Sequence, residues 1–216
     1  MPTSKGFGDT FLSLTHSLVA NYDYQINATV GAKIYNRWTE EKKSEEGLSM
    51  PLYQQPTFGS DDVIVGISLA KPSFLLAVGY QRSLNRIRNR FRPEEWEGTS
   101  FEKIANGYTT SAGLERGDDL MLRMEKNFRF HRLSFYVASL NVFRLTKDKT
   151  LNSEGERVAI DNTQGLASNI ILGGRYRFNV KNSIKLLWSY NVLQREVNPD
   201  GLDRDHVAQL SYEYRF

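Results

Sequence analysis

Residues 206–216 alternate without a break: Ala208, Leu210, Tyr212, Tyr214 and Phe216 stand against Val207, Gln209, Ser211, Glu213 and Arg215. Successive side chains of an extended strand point to opposite faces, so this stretch has one apolar face and one mostly polar face. The same period of two sets Ile184, Leu186, Trp188, Tyr190 and Val192 against Lys185, Ser189, Asn191 and, at the strand's end, Arg195. It also sets Ile170, Leu172, Gly174, Tyr176 and Phe178 against Asn169, Gly173, Arg175 and Arg177.

Upstream, Leu120, Leu122, Met124, Phe128 and Phe130 alternate with Arg123, Glu125, Asn127 and Arg129. Tyr24, Ile26, Ala28, Val30, Ala32 and Ile34 alternate with Gln25, Asn27, Thr29, Gly31 and Lys33. Further strands are predicted over 10–18, 63–70, 74–84 and 133–145, nine in all, the last changing phase near Ala138 as a β-bulge would make it. Residues 107–114 are a candidate tenth.

Connection lengths alternate. Short turns fall at 21–23, 71–73, 129–132 and 180–182, and long polar loops near 37–61, 85–118, 146–164 and 197–205. Outer-membrane barrels have this asymmetry, with an even number of antiparallel strands. The pattern predicts an all-β, antiparallel up-and-down transmembrane β-barrel filling one domain over 1–216, with nine to ten strands visible and 10–12 in the complete barrel. Nine is odd, so at least one strand is expected before Thr10.

A soluble calyx shares the alternation but turns its apolar face inward. Charges in strand interiors, strands of ten or more residues, Tyr and Phe gathered at strand ends and an aromatic last residue favour the membrane form. Charged residues are 25% of the chain and no window holds the roughly 18 apolar residues of a spanning helix, which removes a helical membrane protein. The absence of Cys removes disulfides, thiolate metal sites and a Cys nucleophile. With a net charge of +3 and Lys and Arg spread among the strands, nucleic acid is not an expected partner.

The polar face carries the candidate functional residues: Lys33, Arg123, Arg129, Arg175, Arg177, Lys185, Arg195 and Arg215, against Glu125 and Glu213. If the lumen is open, its basic lining favours anionic solutes. In a narrow barrel these charges instead pair and fill the interior, Arg123 with Glu125 and Arg215 with Glu213. A channel or passive transporter for small molecules is therefore the leading reading, and a structural or partner-binding barrel with a filled lumen the alternative.

No phosphate-binding Gly-rich loop, zinc spacing or dinucleotide fingerprint is present, so no cofactor is expected. His16 beside Ser17 and His131 near Ser134 suggest a lipid esterase, but neighbours on a strand face opposite ways and His131 sits at a short turn, so no enzyme is expected. Glu196, Asp200, Asp203, Asp205 and His206 read as a solvated acidic rim rather than a cation site. Pro93, Trp96 and Phe101 suggest that part of the 85–118 loop folds back on itself, behind a basic run of Arg86, Arg88, Arg90 and Arg92.

Gly6, Gly8 and Asp9 in GFGDTFLSLTHSL, with Gln55, Pro56, Gly59, Ser60 and Asp61 in PLYQQPTFGSDDVIVGIS and then LLAVGYQRSL, resemble the outer-membrane transporter family linked to meta-pathway phenol degradation. Bacteroidetes-type relatives look most similar, over 6–84. Where that family commonly has Pro-Thr-Gly, this chain has KIYNRW from Lys33 to Trp38. The resemblance implies an integral protein of the bacterial outer membrane that moves small molecules, with strands before the first matched motif. Its expected partners are outer-membrane lipid, small solutes and the barrel-assembly machinery, through the C-terminal strand ending at Phe216.

Overall fold

The computed structural model describes residues 8–200 and 205–215; expectations that fall on Gly6, Asp203 and Phe216 lie outside them. Nine strands form one antiparallel meander: β1 (Thr10–Ala20), β2 (Gln25–Ile34), β3 (Asp62–Lys71), β4 (Phe74–Ser83), β5 (Asp119–Arg129), β6 (Leu133–Arg144), β9 (Gly165–Arg177), β10 (Asn182–Leu193) and β11 (His206–Tyr214). β7 (Lys149–Leu151) and β8 (Arg157–Ala159) form a separate hairpin inside the 145–164 loop. Among the described residues only 3-10 turns at Leu52–Gln54 and Pro93–Trp96 and a one-turn helix, α1 (Glu102–Ala105), add helical structure. Among the described residues β1 and β11 are the two edges of the sheet, and no contact joins them.

The short turns fall where the sequence places them. The side chain of Asn21 accepts the N–H groups of Asp23 and Tyr24, and that of Asn179 accepts those of Lys181 and Asn182. An Asn side chain that ties its own backbone two or three residues on makes a reversal this tight.

Two expectations change. Residues 107–114 are no strand of the sheet: Ser111 and Gly113 donate backbone bonds to Phe91 and Asn89, so the segment runs through the loops. There is no bulge at Ala138, because β6 keeps register with β5 and with β9 throughout. The register breaks instead between Ser17 and Val19 and between Asn191 and Leu193. What changes at Ala138 is side-chain chemistry. Ser139 and Asn141 take positions on the otherwise apolar face and satisfy each other together with Ser168, through bonds of 3.3 and 2.8 Å.

The register defines the two faces. Lys33 stands opposite Asp62, Asp119 opposite Arg144, and Lys185 opposite Arg175, all on one face. The other face carries Leu14, Val30, Ile67, Leu172, Leu186 and Leu210, all 41–71% exposed, and little of the chain covers it. Gly173 sits on the polar face beneath Tyr136, where an added Cβ would come within 2.0 Å of the ring.

The compact hydrophobic core lies in the loops. Leu52, Ile87 and Leu114 pack with Phe58 and Ile160, while Phe91, Trp96 and Ala105 pack with Leu48, Met50 and Tyr108. Asn89 braces the second cluster, accepting from the Phe91 N–H and the Ser111 hydroxyl and donating to the Met50 carbonyl. The folding back suggested by Pro93 and Trp96 is present, with Trp96 only 3% exposed.

Candidate functional site

The polar face has two ends with different electrostatics. At the loop end Arg144, the last residue of β6, is buried among three carboxylates. Its Nε and Nη2 reach Asp119 at 2.6 and 3.0 Å, its Nη1 reaches both oxygens of Asp148 at 2.6 and 2.7 Å, and its Nη2 lies 3.4 Å from Asp200. The flat guanidinium fork meets Asp119 bidentately through Nε and Nη2 while Nη1 is shared between both oxygens of Asp148, a geometry Lys could not reproduce.

Arg116 extends the network, with Nη2 3.2 Å from Asp119, Nη1 3.5 Å from Asp62 and Nε 3.8 Å from Asp200. Lys33 lies 2.8 Å from Asp62 and donates to Ser60 at 3.1 Å, and Gln81 also donates to Asp62. Arg195 reaches Asp200 at 3.4 Å. Lys33, Arg116, Arg144 and Arg195 thus meet Asp62, Asp119, Asp148 and Asp200, and the formal charges cancel.

Loop backbone completes the network. The Gly117 N–H donates to Asp148 at 2.7 Å, and Asp148's own N–H donates to the Thr163 hydroxyl at 2.9 Å. A side chain at position 117 would collide with the Thr146 carbonyl at 2.0 Å. Burial pushes the Asp148 carboxyl up, and nearby Arg144 and the Gly117 N–H only partly reverse this. Burial pushes Asp200 up too, but Arg116, Arg144 and Arg195 outweigh it and hold its carboxyl below the ordinary range.

At the turn end the pairing is sparser. Arg175 and Lys185 converge on Glu213 across three strands, Lys185 at 2.6 Å, and Ser183 also donates to that carboxylate at 3.2 Å. Arg123 pairs with Glu125 at 2.5 Å, and Asn127 donates to the same carboxylate at 2.9 Å. A recess of about 560 Å³ is lined by Asn127, Tyr136, Arg175, Lys185, Gln209 and Glu213 among others. Arg177 donates to the His131 carbonyl at 3.1 Å. Arg129, Arg177 and Arg215 have no ion pair among the described residues.

The ten residues expected on the polar face therefore separate. Lys33 and Arg195 belong to the loop-end network, Arg195 lying beyond the end of β10 rather than on it. The expected Arg123–Glu125 pair forms. Glu213 pairs with Arg175 and Lys185, not with Arg215, because those two face it from the neighbouring strands of the same face. Asp200, read as part of a solvated rim, is 2% exposed. His206 is on the apolar face, stacked on Trp188 and Tyr190. His16 pairs with Ala28 on that face, while Ser17 accepts from Gln25 on the other.

Sequence reasoning missed Arg116, Arg144, Asp62, Asp119 and Asp148. Two signals were present. Asp62 and Asp119 open their strands on the polar row, and that row in β6 ends on Arg144 when read straight through Ala138, Leu140 and Val142. Neither a model of a known protein family nor a curated protein matches this chain.

Proposed function

We propose that this chain forms most of an outer-membrane β-barrel that passes small solutes along its polar interior, with the long loops acting as a cap on one mouth. The observation that carries this is the inversion of the faces: large apolar side chains are exposed while charged ones are buried. In water such an apolar face would be a large sticky surface; against hydrocarbon it is the favourable arrangement. Strands of 9–13 residues are long enough to cross at a tilt.

Within a bilayer the unpaired backbone of β1 and β11 is costly, so the sheet must close. In a nine-stranded meander the first and last strands run in the same direction. Antiparallel closure then takes one or three more strands, giving a barrel of ten or twelve. The resemblance of residues 6–84 to the phenol-pathway transporter family supports the same reading, as does the separation of short turns from long loops.

The filled-barrel reading has its own support in the charge-balanced network buried at the loop end, which narrows that mouth with paired side chains. Conductance in a planar bilayer separates the two. A capped transporter gives rare openings in the wild type and frequent, anion-preferring ones when the cap core is loosened by Leu114→Ala. Silence from both proteins, shown to be folded and inserted, would leave the structural barrel.

A further inference from the structure

Cations on this polar face are handled in two ways. At the loop end Lys33, Arg116, Arg144 and Arg195 each meet a carboxylate. At the turn end a recess of about 380 Å³ is lined by His131, Arg132, Arg175, Arg177, Lys181 and Arg215, with Phe178 and Asn179–Ser183 completing it and no carboxylate in the lining among the described residues. Among the described residues only Arg175 of these has an ion-pair partner, Glu213.

The recess has a fixed frame. Arg177 is anchored on the His131 carbonyl, the Asn179 side chain holds the 179–182 turn, and the Arg215 N–H donates to the Lys181 carbonyl at 2.8 Å. The turn before β6, the end of β9, the turn before β10 and the residue that follows β11 thus bring Arg132, Arg177, Lys181 and Arg215, which have no ion pair among the described residues, to one concavity. An anion lying between them would offset their mutual repulsion, and several Arg forks around one concavity match the oxygens of a phosphate group.

We propose that this turn-end recess binds a phosphate-bearing anion through Arg132, Arg177, Lys181 and Arg215. Two sources carry that chemistry: a soluble phosphate and the headgroup of an anionic phospholipid. The soluble source needs only the geometry of the recess, whereas the lipid source rests on the membrane reading above, which sets the short turns at headgroup level.

The test uses the full chain refolded in neutral detergent and titrated with inorganic phosphate by calorimetry. In parallel, the chain is inserted into phosphatidylethanolamine vesicles doped with phosphatidylglycerol, and retained lipid is counted by native mass spectrometry. Saturable phosphate binding that weakens at least tenfold in R177Q/R215Q and in R132Q/K181Q, but not in R86Q, establishes the site for a soluble anion. Retention of phosphatidylglycerol by the wild type and its loss in the same variants, without binding of free phosphate, assigns the site to a headgroup. Using two double variants on different elements separates loss of the site from a folding defect, which circular dichroism reads directly. No binding of either probe, or equal binding in folded variants, overturns the proposal. Phosphate binding in detergent by a chain that refuses to insert into vesicles would uphold the site and sink the membrane reading.

Discussion

The sheet and the loop cap solve opposite problems with the same chain. The sheet has a regular ladder and almost no buried apolar core; its large apolar side chains point away from the protein. The cap has little regular structure, yet it holds both hydrophobic clusters and most of the buried ion pairs. Backbone hydrogen bonding therefore dominates in one region and side-chain packing in the other. The difference teaches that a face left bare expects its partner from outside, whereas a loop with a core is a folded structure.

The most severe way to break the cap is Arg144→Gln, which leaves Asp119 and Asp148 buried without their main cation. Loss of one partner of a buried pair costs about 3–5 kcal/mol. Proteolysis should then cut within 84–118 and 145–164 while the strands stay protected. Equal protection of the loops would show the network to be dispensable.

Leu114→Ala attacks the same region through packing. The side chain is wholly buried, and a cavity of this kind costs about 2–5 kcal/mol. Cap proteolysis should rise with no change in the strand signal by circular dichroism.

The sheet is tested by Leu172→Arg on its apolar face. Against hydrocarbon an Arg near the midplane costs about 2–4 kcal/mol. Urea titration of vesicle-inserted protein should show that loss, whereas a face looking onto water would tolerate the change.

A smaller effect is expected from acid. The folded Asp200 carboxyl is held below its ordinary value, so its contribution to stability is full above the unfolded pKa of about 3.9 and is lost as the pH falls through the folded value. Asp148 is shifted upward and works in the opposite sense, so it blunts the loss. Proteolysis of the cap should therefore increase only below about pH 4, and Asp200→Asn should flatten that rise. The smallest effect belongs to Asp161→Asn, which removes an exposed pair with Lys147 at 2.6 Å and should leave thermal unfolding of the cap unchanged.

The nine strands were legible because alternation is a local signal, written within each segment by side chains such as Ile184, Leu186 and Trp188. The misreading at Ala138 shows its limit: two polar residues on the apolar face imitate a change of register, and only their bonds to each other and to Ser168 show otherwise. The Arg123–Glu125 pair was readable because it lies within one strand. Glu213 was given to Arg215 rather than to Arg175 and Lys185 because the second choice depends on which strands are neighbours.

The sequence by itself determined the strands, the turns and, outside β6, which side chains share a face, since each follows from a period of two and from turn chemistry. Tertiary structure alone decided that residues from four loops, among them Arg116, Asp148 and Asp200, meet the strand ends at Lys33, Asp62, Asp119 and Arg144. Those groups are up to 167 positions apart along the chain, from Lys33 to Asp200. A buried charge finds its partner by proximity in the fold, and no local pattern records that.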